Sequence, residues 1–204
     1  MEYFIKAEPK QMYGFDVDQK AVDICREKFL KHENISLQQT DGKTIPLDGS
    51  QIDVVISLET IEHIDDDASF IHEVARILKP GGLFIVSTPN RLCTNPGSSI
   101  KDKPWNPFHV REYDPSEFTD LLSKDFEILE RHGQNRVSPF AQRLLTFLGK
   151  KMGYMLAVRL NQFYKLRWFL IGKFANHEVV TCDVPEKFEY LVFVCRKRTR
   201  GNER

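Results

Sequence analysis

The chain has 204 residues, 41% of them hydrophobic and 28% charged, with 29 basic residues balancing 29 acidic ones. That length can bury a real core as one domain with an insertion. A formal net charge of zero excludes a chain held to nucleic acid or membrane by bulk charge alone.

No stretch reaches the roughly 18 consecutive apolar residues of a membrane span. The first ten residues, M-E-Y-F-I-K-A-E-P-K, lack the apolar centre of a signal peptide. Cys25, Cys93, Cys182 and Cys195 are scattered without C-x-x-C spacing, which reads as reduced thiols in a cytoplasmic protein.

In chain order, residues 11–16 (Q-M-Y-G-F-D) read as a strand ending on an acid, and Asp18 as the N-cap of a helix over 19–31. Val22, Cys25 and Phe29 give that helix one apolar face. Residues 34–39 alternate as a short strand, and Thr40-Asp41-Gly42 breaks it. After the turn signal Asp48-Gly49-Ser50, Ile52, Val54, Val55 and Ile56 form a β-branched run, the pattern of a strand covered on both faces. A polar edge, Ser57 to His63, follows at once, and in open α/β sheets ligands bind at such carboxyl ends.

Residues 65–67 can cap a helix reaching about Leu78, with Phe70, Ile71, Val74 and Leu78 on one stripe. Lys79-Pro80-Gly81-Gly82 reads as its stop, and 83–86 (L-F-I-V) as the next buried strand. Residues 91–110, with Pro96, Gly97, Pro104 and Pro107, read as a long functional loop. A short helix over 115–122, a strand over 126–130 and a last strand over 190–195 complete the series. Alternating strands and helices predict an α/β fold on a parallel, doubly wound sheet, closed by an antiparallel hairpin.

Between 136 and 176 the texture changes: eight basic residues stand without one Asp or Glu, interleaved with aromatics such as Phe140, Tyr154, Phe163 and Trp168. The rest of the chain then holds 21 basic against 29 acidic residues. The segment reads as an inserted helical cap with its charges in water, or as an amphipathic lid meeting an anionic membrane surface or substrate. Nucleic acid ranks lowest, because no recognition motif accompanies it.

Five pieces resemble the class I S-adenosylmethionine-dependent methyltransferases of the type 11 group. They are G-F-D-V-D (14–18), D-G-K-T-I-P-L-D-G-S-Q-I-D-V-V-I-S (41–57), L-E-T-I-E-H-I (58–64), E-V-A-R-I-L-K-P-G-G-L-F-I-V-S-T-P-N (73–90) and N-P-F-H-V-R-E-Y-D-P-S-E-F (106–118). The resemblance implies a Rossmann-like, mostly parallel sheet. It implies a methyltransferase-like core over 1–135, a basic helical insertion over 136–180, a closing strand over 181–198 and a basic tail over 199–204. It further implies S-adenosyl-L-methionine as cofactor. Asp16 and Val17 would lie at the ribose, Asp41 and Gly42 at the adenine, and Ser57 and Leu58 along the sugar and methionine side. Alternatively Asp16 only caps a helix, and Asp41 is a simple turn aspartate.

The family's glycine-rich first motif should precede Gln11, yet residues 1–10 contain no glycine. The expectation is a chain lacking its first βα unit, with 2–6 as the tail of a helix. A nicotinamide oxidoreductase is disfavoured by the absence of G-x-G-x-x-G.

Glu59, Glu62 and His63 share one face of a helical turn. Some methyltransferases use this arrangement with a later histidine, here His109, to hold a divalent metal. Without metal, the turn serves as helix start and pocket wall, and His63 or His109 could act as general base. The expected activity is methyl transfer to a small-molecule or lipid-linked acceptor, with O-methylation favoured. The alternative is a non-catalytic binding or membrane-associating module.

Overall fold

Asp18 starts the first full helix as its sequence predicts, its side chain accepting the Lys20 N–H at 2.9 Å. The computed structural model describes residues 2–137, 179–182 and 187–199, and it divides into two compact units, Met1–Asp48 and Gly49–Arg204.

In the first unit, α1 (Glu2–Ile5) precedes β1 (Met12–Asp16), α2 (Gln19–Lys28) and β2 (Ile35–Gln39). β1 and β2 are parallel, in register from Met12 against Ile35 to Asp16 against Gln39. Helix α2 buries Val22, with Phe29 at its C-cap. It stops short of residue 31 because nothing apolar beyond Phe29 is buried; Leu30 is 82% exposed. The Arg26 guanidinium donates to the Leu37 carbonyl at 2.7 Å and ties α2 to β2.

The second unit comprises β3 (Ile52–Leu58), a 3₁₀ turn (Ile61–His63), α3 (Asp67–Ile77), β4 (Leu78–Pro89), α4 (Arg91–Thr94), α5 (Pro115–Leu122), β5 (Phe126–Arg136), β6 (Val180–Thr181) and β7 (Phe188–Lys197). Its sheet runs β3-β4-β7-β5-β6. β3 and β4 are parallel, while β7 lies antiparallel to both β4 and β5, so the late strands close the sheet as a hairpin. The core is aromatic. Phe84 meets Phe126 at 5.2 Å between centroids, Phe118 meets Phe193 at 5.1 Å, and all four are fully buried. At about 25 cal/mol per Å² of apolar area, such rings dominate the stabilisation of the sheet.

Two expectations need correction. Helix α3, capped by Asp66 through the Ser69 N–H, ends at Ile77, and Lys79–Gly82 is an irregular stretch inside a strand. Ile52 pairs with Leu78 and Val54 with Leu83, so the extra residues bulge out of β4, with Gly81 at φ +76° supplying the reversal. Strand β5 runs to Arg136 rather than 130, because β7 pairs with it along its whole length. Polar residues continue where a partner strand satisfies their backbone.

Most of the basic insertion expected over 136–180 lies outside the described residues, as does the tail beyond Thr199. The boundary at 180/181 falls within β6, which pairs with β5 at Gly133 and His132. Among the described residues, no helix is long and apolar enough to cross a membrane.

Candidate active site

In the first unit the residues assigned to the nucleoside gather at the carboxyl ends of β1 and β2. Asp16 is exposed, and its Oδ1 accepts the Asp18 N–H at 2.9 Å; Asp18, not Asp16, caps α2. Val17 is 62% exposed, and its carbonyl accepts from Gln39 Nε2 at 2.9 Å. Asp41 Oδ1 accepts the Lys43 and Thr44 N–H groups at 2.8 and 2.9 Å, which holds its carboxyl below the usual range. Gly42 follows at φ +75°, packed on Val17. Two acids that accept hydrogen bonds, a bare backbone and an exposed apolar side chain form a set that suits ribose hydroxyls and an adenine amine.

In the second unit, Ser57 and Leu58 end β3, with Leu58 50% exposed. Glu59 then takes a left-handed backbone, φ +51°, which costs a residue with a Cβ about 1–2 kcal/mol. Ser87 on β4 holds it there: the Glu59 N–H donates to Ser87 O and Oγ, and the Ser87 hydroxyl donates to Glu59 Oε1 at 2.6 Å. Burial pushes the Glu59 carboxyl up to about 7, against the Ser87 hydrogen bond.

The turn after it buries Ile61 and Glu62 almost completely. Glu62 accepts the Thr88 hydroxyl at 3.2 Å, and burial raises its carboxyl above the ordinary range. Its carbonyl accepts the Val110 N–H at 2.8 Å, which docks the long loop onto the turn. That docking brings His109 to His63, their rings edge to face at 4.9 Å. Glu62, His63 and His109 each offer a ligand atom within 4.8 Å of the others. Glu59 is not in that group; its carboxylate is engaged by Ser87.

Hydrogen-bond partners fix the proton on each ring. His63 Nδ1 faces the Phe108 carbonyl at 2.9 Å, an acceptor only, so Nδ1 carries the hydrogen. His109 Nδ1 faces Glu112 Oε1 at 2.6 Å, and Nε2 faces Asn106 Nδ2 at 2.8 Å. Both rings thus keep an unprotonated Nε2: that of His109 accepts from Asn106, and that of His63 lies 3.8 Å from Glu62 Oε1. Such atoms can take a proton or bind a metal, as their Nδ1–H contacts orient them for either.

The loop bearing His109 is anchored at both ends. Arg91, 6% exposed, reaches Asp114 at 2.9 Å and Glu117 at 2.7 Å, and its backbone N–H donates to the Tyr113 carbonyl at 2.8 Å. The Tyr113 hydroxyl donates to Asp67 at 2.6 Å. Lys101, Lys103 and Arg111 line an open hollow with His109 on its wall. Sequence reasoning overlooked Ser87, Thr88 and Glu112. The last had one signal, the His109-x-x-Glu112 spacing.

Comparison with known proteins shows what the chain resembles. Residues 1–86 match the family described as a methyltransferase domain. The chain is similar in sequence to S-adenosylmethionine-dependent methyltransferases. A probable S-adenosylmethionine-dependent methyltransferase of Mycolicibacterium smegmatis is 37% identical over 129 residues, covering 61% of this chain and 46% of its own. One from Mycobacterium tuberculosis is 39% identical over 113 residues, 55% of this chain and 39% of its own. A ubiquinone biosynthesis O-methyltransferase of Ruegeria pomeroyi is 41% identical over 112 residues, 48% and 44% of the two chains. The chain thus spans less than half the length of these relatives. Among solved structures, an S-adenosylmethionine-dependent methyltransferase from Mesorhizobium loti superposes with a TM-score of 0.61 at 13% identity, over 96% of this chain and 84% of its own. The [4+2]-cyclase SpnF gives 0.60 at 19% identity, over 93% and 67%. The fold is the Rossmann-like α/β fold of the class I methyltransferases.

Proposed function

We propose that this methyltransferase relative transfers a methyl group from S-adenosyl-L-methionine to a hydroxyl of a small-molecule or lipid-linked acceptor. The fold alone does not select that chemistry, since a cyclase carries it too. The observation that carries the reading is the pair His63 and His109, each with Nδ1 tied down and Nε2 left unprotonated, beyond the carboxyl end of β3. The name of the Ruegeria relative supports an oxygen acceptor.

In this reading Asp16 and Val17 hold the ribose, Asp41 and Gly42 the adenine, and Ser57 and Leu58 the sugar and methionine side. S-adenosylmethionine, when bound, supplies an electrophilic methyl on a sulfonium whose sulfur keeps the S–C electron pair. The acceptor's hydroxyl takes the place of the Asn106 amide at His109 Nε2 and passes its proton there as its oxygen takes the methyl, and His63 packs the base in place. Alignment supplies most of the acceleration, with general-base catalysis adding about 10²–10⁴-fold.

Calorimetry of the purified chain with S-adenosylmethionine, followed by labelled-methyl transfer to a panel of catechols and polyprenylated phenols, tests this. Binding with O-linked label supports it. Absence of cofactor binding overturns it for this chain and leaves the binding-module reading.

A second reading is favoured by the convergence of Glu62, His63 and His109. These three would hold a divalent ion that lowers the acceptor's pKa. Loss of transfer on chelation, restored by Mg²⁺, Mn²⁺ or Zn²⁺, would select it; activity unchanged by EDTA would remove it. For segment 136–176 the matching proposal is contact with an anionic membrane that delivers a lipid-linked acceptor. Equal pelleting with anionic vesicles before and after its deletion would sink that idea.

A further inference from the structure

Glu112 is 3% exposed, and donors occupy both of its oxygens. Oε1 accepts from His109 Nδ1 at 2.6 Å. Oε2 accepts from the Thr94 hydroxyl and the Asn95 amide. Asn95 is itself fixed: its Oδ1 accepts the Trp105 N–H at 2.6 Å, so its NH₂ is the side that faces Glu112. Across the ring, Asn106 Oδ1 accepts the Phe108 N–H at 3.1 Å, which leaves Nδ2 to donate to His109 Nε2. Each of these partners of the imidazole prescribes the same proton placement.

We propose that Glu112 is a positioning residue that locks His109 in the Nδ1–H tautomer and so keeps Nε2 a hydrogen-bond acceptor, satisfied here by Asn106 and open to the acceptor's hydroxyl in its place. The part Nε2 plays rests on the methyl-transfer reading; the tautomer does not. Only a carboxylate answers this surrounding, because it accepts on both sides. Glutamine accepts on one. In Glu112→Gln the carbonyl must turn to Asn95, whose NH₂ cannot reverse its role. The new amide NH₂ then faces His109 Nδ1, and the ring must move its hydrogen to Nε2. That hydrogen would point at the Asn106 NH₂, donor against donor. The substitution therefore removes an accepting atom without removing a side chain.

The test is long-range ¹H–¹⁵N NMR of the full chain labelled at histidine nitrogens, at about pH 8, where an ordinary imidazole is neutral. His109 is assigned by the signals that vanish in His109→Gln. The wild type should show a protonated-type Nδ1 and a lone-pair-type Nε2 on His109. Glu112→Gln should exchange the two shifts or average them. Asn106→Ala, which removes the Nε2 partner and the Phe108 N–H contact but leaves Glu112 in place, should keep the wild-type pattern. A wild-type Nε2–H tautomer overturns the proposal, as does a Glu112→Gln spectrum identical to wild type or an exchange in Asn106→Ala. Wild type and Asn106→Ala decide the matter even if Glu112→Gln fails to fold. No cofactor or acceptor enters this measurement. A chain with the assigned tautomer but no methyl transfer would sink the catalytic reading and leave the role of Glu112 standing.

Discussion

His63 and His109 meet edge to face, with ring planes 83° apart, although they lie on different elements. The contact exists because the Glu62 carbonyl captures the Val110 N–H. If His109 accepts the acceptor's proton, His109→Ala should lower kcat by about 10²–10⁴-fold. Affinity for S-adenosylmethionine, measured by calorimetry, should stay unchanged. His63→Ala should cost less, because it removes packing on the base and not the base.

Glu59 makes stability fall with rising pH. Its carboxyl titrates near 7 in the fold against 4.5 as an ordinary glutamate. Between those values the folded chain keeps a proton that the unfolded chain has released. Stability contributed by the neutral carboxyl is thus full below about pH 4.5 and lost as pH rises through 7. The loss is at most about 3 kcal/mol at ~1.36 kcal/mol per unit. Glu59→Gln should flatten much of that slope and be the more stable chain at pH 8 in thermal melts. A residual slope of the same sign should remain from Glu62, whose carboxyl is also raised by burial.

Gly133 on β5 has no room for a side chain. A Cβ there would lie 2.1 Å from Phe188 Cγ on β7. Gly133→Ala should therefore destabilise the chain by about 1–3 kcal/mol or more, read by urea denaturation. The double variant Gly133→Ala with Phe188→Ala should recover part of the loss.

The thiols should divide by burial. Cys93 and Cys195 are 1% and 0% exposed, and burial pushes the Cys195 thiol up to about 12. Cys25 and Cys182 are only partly buried. Native labelling with a thiol reagent at neutral pH should modify Cys25 and Cys182 and spare the other two until denaturant is added.

The helices were the most legible part of the chain. Asp18, Asp66 and Asp114 all cap where acids precede apolar periodicity, and Asp114 closes a full capping box with Glu117. Capping is local, and sequence carries local physics well. Strand ends were harder. Lys79–Gly82 reads as a helix stop, yet pairing with β3 on both sides, Leu78 with Ile52 and Leu83 with Val54, carries the strand through a bulge. His63 and His109 are paired through the resemblance to methyltransferases that use a later histidine, and their rings do meet. Glu112 could not be placed that way, because its role depends on Thr94 and Asn95 folding back onto it.

Arg91 and Tyr113 have a further consequence. They fasten the start of the His109 loop beside its end, so the sheet does not register what happens between them. Doubling the length of the stretch between Ser98 and Pro107 would cost only about 0.6 kcal/mol in closure entropy. It would change everything that overhangs the imidazole. A lineage could therefore retune which molecules it accepts by lengthening or rewriting that tip, while the strands beneath stay under their old selection.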